Sequence, residues 1–333
     1  MLAVVVLVSA CTSSGSSGST GAPTGSTGAG GTDTTPVPSS TSASSETSTS
    51  ASPSVGSSTP ATTGASKGNL YVSLGDSYAA GFQATGKGGQ GRTTTNGFAY
   101  QTVTKAKAKG YDLKLVNFGC AGATTTSIIS DPGCKANLLG PGAASYSETQ
   151  AAAAEAYLRS HQGQVALVTV SIGGNDVTAC AADPDTVACL TKALGTVRTN
   201  LTKLMTGLRA AAGPSTQIVG ITYPDVLLGN ALSSNAKIKQ LAQLSVVAFK
   251  SLINPTLQAV YTGAGAKFVD VTAATGAYGS LTTTTTVAPY GKIPVPVAKI
   301  CQLTYYCQYQ DIHPRTNGYA IIAGLVVGTL PKR

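Results

Sequence analysis

The sequence predicts an α/β fold built on a parallel β-sheet with helices on both of its faces. From about residue 67 onward, short apolar runs typical of strands alternate with longer Ala-rich helical stretches. The run at residues 165–172 is apolar almost throughout, as a strand buried on both faces requires. This alternation favours right-handed crossovers and a ligand site beyond the carboxyl ends of the strands.

Five strands and five long helices are expected from these patterns. The strands are predicted at residues 70–74, 113–118, 165–172, 217–223 and 267–271. The helices are predicted at residues 99–109, 148–160, 186–212, 233–261 and 315–327. Residues 67–333 are therefore interpreted as one domain, which is long but ordinary for a single α/β unit.

The first 11 residues resemble a bacterial lipoprotein signal peptide. A short apolar run ends in Val8-Ser9-Ala10-Cys11, which has small residues where export signals are cleaved and is too short to span a bilayer. By this resemblance, residues 1–11 end at a lipobox and Cys11 carries the lipid anchor; an ordinary cleaved signal is the alternative. No Lys or Arg precedes the apolar run, which suggests a start further upstream.

Residues 12–66 are predicted to form a disordered tether. They are almost wholly Ser, Thr, Gly, Pro and Ala, with Asp33 and Glu46 as their only charges. Such a segment cannot bury enough apolar surface to offset its ordering entropy. As a flexible coil it would typically span about 40 Å, enough to hold a domain clear of a membrane.

The part of the chain after the tether is basic. It contains all 22 Lys and Arg residues and 11 of the 13 acids, which gives it a formal charge of +11. Such a surface is attracted to an anionic membrane or cell wall. The basic residues are scattered and form no run, so no nucleic-acid partner is expected.

Six cysteines follow Cys11, and they fall as three local couples. The couples are Cys120 with Cys134, Cys180 with Cys189, and Cys301 with Cys307. Sequential pairing is the interpretation we favour among fifteen possible pairings, because each couple encloses a short loop. Disulfides persist in an oxidising compartment, so this pairing supports export. Metal binding is the weaker alternative, since no spacing is Cys-x-x-Cys.

Polar motifs follow the first three predicted strands, and one more precedes the last helix. They lie at residues 75–77, 117–122, 173–176 and 311–313. In a parallel sheet the first three meet at one rim, which the fourth can reach. Glycines there leave room for a backbone N–H to approach a reacting oxygen, and an asparagine side chain can donate to the same charge. The sequence therefore predicts an oxyanion hole.

A serine nucleophile needs a nearby general base, and the chain offers only two histidines. His161 follows a predicted helix and is interpreted as a solvated residue at its C-terminus. His313 lies in the last motif and is the candidate base. Asp76 and Asp176 are interpreted as turn residues that bond backbone groups.

Together the four motifs resemble, in order, the sequence blocks of the SGNH hydrolases, also called GDSL lipases and esterases. The resemblance implies Ser77 as nucleophile and His313 as base and then acid. It implies an oxyanion hole from the N–H groups of Ser77 and Gly122 and the side chain of Asn175. It also implies a flavodoxin-like three-layer α/β/α sandwich with a five-stranded parallel sheet, and no metal or organic cofactor.

One position departs from that family. Its usual last block is Asp-x-x-His, whereas here Asp311 stands two residues before His313 and Gln310 takes the expected position. Asp311 is expected to orient the imidazole as the third member of a triad. A backbone carbonyl near Gln310 is the alternative.

The expected activity is hydrolysis of carboxylic esters through an acyl-enzyme, with lipid or short-acyl esters as substrates. Deacetylation of a cell-wall or host polysaccharide is an alternative, and a non-catalytic envelope-binding lipoprotein is another. The chain is expected to act as a monomer. Residues 290–309 are aromatic and contain prolines, and they form either a lid or acyl-chain wall, or ordinary loop packing.

Overall fold

A five-stranded parallel sheet forms the centre of the structure, a computed structural model that describes residues 68–333. Its strands in chain order are β1 (Leu70–Gly75), β2 (Lys114–Asn117), β3 (Val165–Ser171), β4 (Gln217–Ile221) and β5 (Lys267–Val269). Their order across the sheet is β2-β1-β3-β4-β5, and every pair is parallel. The predicted parallel sheet is confirmed, with each strand within two residues of its expected bounds.

The core of the domain lies on both faces of this sheet. All seven residues of β3 are buried, as its continuous apolar run requires. In the register of the sheet Val72 pairs with Val116 on one side and with Val168 on the other. The central strands therefore pack β-branched side chains against the helices above and below.

Five longer helices cover the sheet in two layers, and a sixth, Ala236–Ala248, packs against the short helix Val226–Leu232. They are α1 (Phe98–Ala106), α2 (Gln150–Ser160), α3 (Thr186–Ala212), α4 (Ala236–Ala248), α5 (Asn254–Gly263) and α6 (Thr316–Thr329). Helix α3 packs between α2 and α5, while α1 packs against α6. Because right-handed crossovers change face where the strand order reverses, these two groups lie on opposite faces of the sheet. The structure is thus the expected three-layer α/β/α sandwich.

The helix predicted at residues 233–261 is divided in the structure. Helix α4 passes through the π-helical turn Phe249–Ile253 into α5, where Pro255 occupies the first turn. A proline has no N–H to donate to the carbonyl four residues earlier, and its ring crowds that carbonyl. The chain widens by one residue there, which periodicity alone did not indicate.

Several short elements were not predicted. Phe82–Ala84 pairs with Gly91–Thr93, and Thr284–Val287 pairs with Gly291–Pro294, in two antiparallel hairpins. The short helices are Ser77–Ala80, Lys107–Lys109, Ser127–Ser130, Ala136–Leu138, Gly174–Thr178, Ala179–Ala182, Val226–Leu232, Val271–Ala274, Val295–Leu303 and Tyr306–Tyr309. All but Val295–Leu303, which has nine residues, have seven or fewer and are too short to carry a clear period.

Three disulfides join Cys120 to Cys134, Cys180 to Cys189, and Cys301 to Cys307. These are the sequential pairs that the sequence favoured, and they indicate folding in an oxidising compartment. The predicted signal peptide, the predicted lipidation site at Cys11 and the tether predicted at residues 12–66 lie outside the described residues. Within residues 68–333 no helix has the length and apolar character needed to cross a bilayer.

Candidate active site

The carboxyl end of β1 turns sharply into a short helix that begins at Ser77. Gly75 has φ +136°, and a Cβ there would lie 2.0 Å from the carbonyl oxygen of Ser171 on β3. Only glycine fits that turn. The Asp76 side chain then caps the helix Ser77–Ala80 by accepting the N–H of Tyr78 at 2.9 Å. Ser77 is thereby fixed at the rim of the sheet.

Ser77, His313 and Asp311 form a continuous hydrogen-bonded chain. Ser77 Oγ lies 2.8 Å from Nε2 of His313, and Nδ1 of the same ring lies 2.8 Å from Oδ1 of Asp311. The same Asp311 oxygen accepts the backbone N–H of His313 at 2.9 Å. Ser77 and Asp311 are buried, with 5% and 7% of their surfaces exposed. The three residues implied by the sequence therefore meet at one place.

An unusual backbone conformation at Gln310 lets Asp311 reach the imidazole although it stands only two residues before His313. Gln310 has φ 58° and is the one non-glycine residue with positive φ in residues 68–333. It ends the short helix Tyr306–Tyr309 in the left-handed conformation. After that turn the partner of the imidazole Nδ1 is the Asp311 carboxylate rather than a carbonyl near Gln310.

Two aromatic residues that sequence analysis did not single out hold the His313 loop. The ring of Phe82 packs on the imidazole with centroids 4.4 Å apart. The Tyr78 hydroxyl donates to the carbonyl oxygen of Ile312 at 2.7 Å. The only sequence feature that could have pointed to Tyr78 is its position beside Ser77. Nothing in the sequence points to Phe82.

Beneath Ser77, Asp76 is completely buried against a tyrosine. The Tyr223 hydroxyl donates to Oδ2 of Asp76 at 2.6 Å. Burial raises the pKa of Asp76 to about 7, against the opposing effect of the hydrogen bonds from Tyr223 and from the Tyr78 N–H. Burial, with the nearby Asp76, also raises the pKa of Tyr223 far above its ordinary value, so its hydroxyl stays a donor. Both carboxylate oxygens of Asp76 are used to hold the turn.

A second loop, after β2, is tied to the loop after β3. The Asp176 carboxylate accepts the N–H of Thr125 at 2.9 Å and its hydroxyl at 2.5 Å. The Asn175 amide donates to the carbonyl oxygen of Ala123 at 2.8 Å. Gly122 has φ 88° with open space around it. In the described part of the chain, the N–H groups of Gly122 and Ser77 have no hydrogen-bond acceptor.

The two glycines before Asn175 have different structural causes. Gly173 adopts φ 106° and begins the short helix Gly174–Thr178. A Cβ on Gly174 would lie 2.8 Å from the ring of Tyr223. Gly174 is therefore required by ring packing, a reason that the sequence did not suggest.

Gln150 is a further unpredicted neighbour of the site. It is buried at the start of α2, and its amide makes two hydrogen bonds to one residue at the end of β1. The Gly75 N–H donates to Oε1 at 2.7 Å, and Nε2 donates to the Gly75 carbonyl at 3.1 Å. This pairing fixes the peptide just before Asp76 and Ser77. A glutamine in the first turn of a helix gives no sign of such a role.

An apolar cavity of about 310 Å³ opens beside Ser77. One wall is α3, and the other is formed by α4, the π-helical turn and α5. Its lining side chains include Leu190, Leu194, Val197, Leu241, Phe249 and Leu257. Residues 290–309 do not line it; the helix Val295–Leu303 instead packs in a second core cluster with the helix Val226–Leu232. The loop-packing alternative for residues 290–309 is thus the one that the structure favours.

The second histidine lies apart from this site. His161 caps the C-terminus of α2 and stacks on Tyr157 with ring centroids 4.0 Å apart. Within residues 68–333 no group of three His, Cys, Asp or Glu side chains is arranged to hold a metal ion.

Comparison with known families matches residues 71–326 to the GDSL-like lipase/acylhydrolase family. The match covers more than three quarters of the chain. The chain belongs to this family. It is therefore a carboxylic ester hydrolase on the SGNH hydrolase fold.

Solved structures to which the chain is similar include a lipase and an acetylxylan esterase. The extracellular lipase from Streptomyces rimosus is 19% identical, with 78% of this chain and 97% of that chain covered and a TM-score of 0.43. A catalytic mutant of Axe2, an acetylxylan esterase from Geobacillus stearothermophilus, is 16% identical, with 81% and 98% covered and a TM-score of 0.43. No significant match was found among curated protein sequences.

Proposed function

We propose that Ser77 is the nucleophile of a two-step ester hydrolysis and that His313 is its general base and acid. The Ser77 hydroxyl attacks the ester carbonyl carbon while Nε2 of His313 takes its proton. The same proton goes to the departing alcohol, which leaves an acyl-enzyme. Water then attacks that ester by the same route and releases the acid. The 2.8 Å contact between Oγ and Nε2 supports this assignment.

Asp311 sets the tautomer that this mechanism needs. A carboxylate only accepts hydrogen bonds, so the 2.8 Å contact with Asp311 supports the tautomer with the ring proton on Nδ1. Nε2 is then left with a lone pair aimed at the Ser77 hydroxyl. When the ring becomes positive during the reaction, the buried carboxylate stabilises it.

The N–H groups of Ser77 and Gly122 and the amide of Asn175 are proposed to bind the oxyanion. The two backbone groups lack acceptors in the described part of the chain, and the asparagine uses only one amide hydrogen on Ala123. A donor of this type is worth about 10²–10³ in kcat in other hydrolases. The ties from Asp176 to Thr125 hold the loop with Gly122 against the loop with Asn175.

The proposed substrates are esters with a long acyl chain, as in lipids. The apolar cavity beside Ser77 is the observation that carries this choice. Its lining on α3 runs from Thr186 to Val197, which is about 16 Å at the rise of an α-helix. An extended alkyl chain advances about 1.25 Å per carbon, given bonds of about 1.5 Å. The cavity therefore has the length of a chain of about 12 carbons.

A series of p-nitrophenyl esters tests this substrate class. We expect kcat/KM to rise from the acetyl ester to acyl chains of about 10–12 carbons, because each buried CH₂ adds about 0.8 kcal/mol of binding. Leu190→Trp fills the cavity and should move the optimum to shorter chains, whereas the volume-conserving Leu190→Met should keep the parent profile. A preference for the acetyl ester in the parent would instead favour the deacetylase alternative.

Cys11 is proposed to carry a lipid that anchors the domain outside the cytoplasm, with residues 12–66 as the tether. The apolar run before Cys11 and the three disulfides support export of this kind. Metabolic labelling with a radioactive fatty acid tests it. The parent should be labelled and Cys11→Ser should not; equal labelling of both would refute the anchor.

A further inference from the structure

The mouth of the cavity is bordered by an unusual cluster of exposed apolar side chains. Val187, Leu244, Val247 and Leu252 are 75%, 54%, 60% and 48% exposed. Among residues 68–333 these are the exposed large apolar side chains, and all four border this cavity. Scattered apolar residues on a surface need no explanation, whereas a cluster at the opening of a pocket marks an interaction site. We call these four residues the apolar rim.

The helices that carry the apolar rim bear charge of one sign only. Helices α3, α4 and α5 and the π-helical turn between α4 and α5 contain no Asp or Glu. Their basic residues are Lys192, Arg198, Lys203, Arg209, Lys237, Lys239 and Lys250. Two acids, Asp183 and Asp185, lie in the loop before α3, where Asp185 caps the helix, and Glu155 of α2 approaches Gly207 towards the other end of α3.

Two of these lysines lie close to the rim along the chain: Lys237 on α4, and Lys250 in the π-helical turn, where its ammonium lies 6.0 Å from the centroid of the Tyr278 ring. Lys237 precedes Leu244 by seven residues, and Lys250 follows Val247 by three. Residues seven apart share one face of an α-helix. Both lysines are exposed. The rim therefore has Lys237 before it on α4 and Lys250 between Val247 and Leu252.

We propose that the apolar rim and its flanking lysines dock on an anionic lipid surface. Apolar side chains at the interface would insert among acyl chains while the lysines pair with the headgroups. A second copy of the chain is a poor occupant, because it would bring two wholly basic helix sets face to face. The purpose of docking rests on the proposed lipid-ester activity, since the rim leads directly into the cavity beside Ser77.

Vesicle flotation tests the docking surface. The full chain carries Cys11→Ser in every sample, so that no lipid is attached at that position. It is mixed with vesicles of phosphatidylcholine alone or of phosphatidylcholine with phosphatidylglycerol. The variants are Leu244→Gln/Val247→Gln in the rim and Lys237→Gln/Lys250→Gln beside it. The control is Lys105→Gln/Lys107→Gln, which removes two exposed lysines from the opposite helix layer.

The parent should bind the anionic vesicles at least tenfold more tightly than the neutral ones. The Lys237/Lys250 variant should lose about 25-fold of that affinity at low salt, since a surface lysine contributes about fivefold. The rim variant should lose about tenfold or more on both vesicles. The Lys105/Lys107 control should bind as the parent does. Cooperative thermal unfolding of each variant shows that it has folded.

Two results would overturn the docking proposal. One is equal loss of binding in the Lys105/Lys107 control and the Lys237/Lys250 variant, which would mean that net charge alone acts. The other is a dimer in sedimentation velocity that the rim substitutions abolish, because the rim would then join two chains. Ser77→Ala should float as the parent does. Its activity therefore tests the proposed chemistry separately from docking.

Discussion

At the scale of single residues, the spacing of Asp311 and His313 is the feature that most distinguishes this site. The left-handed Gln310 turns the chain so that an acid two residues before the histidine reaches Nδ1 at 2.8 Å. The same carboxylate oxygen accepts the His313 N–H. The acid thus orients both the ring and the loop that carries it.

Asp311→Asn should therefore lower kcat by about 10⁴, because the amide would favour the wrong tautomer of His313. Steady-state hydrolysis of a soluble p-nitrophenyl ester measures the loss. Asp112→Asn, at an exposed acid outside the site, is the matched control and should retain parent activity. A loss of only a few-fold at Asp311 would show that another group orients the imidazole.

A second residue-scale prediction concerns Asp225, which is completely buried. Burial raises its pKa to about 7, although the Ser245 hydroxyl donates to its carboxylate at 2.8 Å. The unfolded chain releases this proton near pH 4, so between about pH 4 and 7 the folded state binds more protons. The free energy of unfolding consequently falls as the pH rises through that window. Asp76, whose pKa is also raised to about 7, acts in the same direction.

Urea unfolding at pH 5 and pH 8 tests this effect of Asp225. Asp225→Asn cannot ionise and keeps an acceptor for Ser245, so it should reduce the difference in stability between the two pH values by about 1–3 kcal/mol. Ser245→Ala removes the donor that favours the carboxylate and should be more destabilising at pH 8 than at pH 5. An unchanged difference in Asp225→Asn would show that Asp225 is already ionised at pH 5 in the folded state.

At the scale of elements, a disulfide fixes one wall of the cavity. Cys180 lines the cavity, and its partner Cys189 lies in the first turns of α3, next to the lining residue Leu190. The two cysteines are 9 positions apart in the sequence. The wall carrying Val187 is thereby joined to the loop after β3, which also carries Asn175.

Cys180→Ala/Cys189→Ala should lower the free energy of unfolding by about 2–3 kcal/mol on the chain-entropy estimate for a loop of this size. Hydrolysis of long acyl esters should fall more than hydrolysis of the acetyl ester, since the acyl-chain wall loosens. Cys301→Ala/Cys307→Ala is the matched control: it should lose similar stability but keep the parent chain-length profile, because neither cysteine lines the cavity. Equal chain-length profiles in both double variants would show that the Cys180–Cys189 disulfide does not contribute to acyl-chain specificity.

The tie between the loops after β2 and β3 is a second device at this scale. The Asp176 carboxylate holds the N–H and hydroxyl of Thr125, and the loop containing Gly122 depends on that contact for its position. Asp176→Ala should lower kcat by tenfold or more with little change in KM, because a displaced oxyanion donor acts on the transition state. Asp176→Asn keeps one acceptor and should lose less. A change confined to KM would assign Asp176 to substrate binding.

At the scale of the whole molecule, the sheet and the meeting of the motifs were predictable from the sequence. Parallel strands place their carboxyl ends at one edge, so Ser77, Gly122 and Asn175 had to lie near one another once the strands were recognised. The family match over residues 71–326 is consistent with that order. The packing contacts around the site were not predictable. Gln150 and Phe82 reach the site from elements whose positions depend on tertiary packing. The helix predicted at residues 233–261 from its periodicity is interrupted near Pro255.

The cavity also could not be predicted from the sequence. Its walls come from α3 and α4, which are remote in the chain from Ser77, and apolar residues on a helix read equally well as core. The sequence motifs indicate the type of reaction, whereas the shape of the substrate site is set by how two helices pack. The apolar rim is the part of the cavity lining that remains exposed to solvent in the folded protein.

The most direct test of the central claim is labelling of the full chain with a fluorophosphonate probe, followed by mass spectrometry of the labelled peptide. An activated Ser77 predicts one modified residue, Ser77, with labelling lost in Ser77→Ala and in His313→Ala. Ser73→Ala, at a buried serine four residues earlier in β1, and His161→Ala should label as the parent does. No labelling of the folded parent, or labelling that survives in Ser77→Ala, would contradict the proposed mechanism.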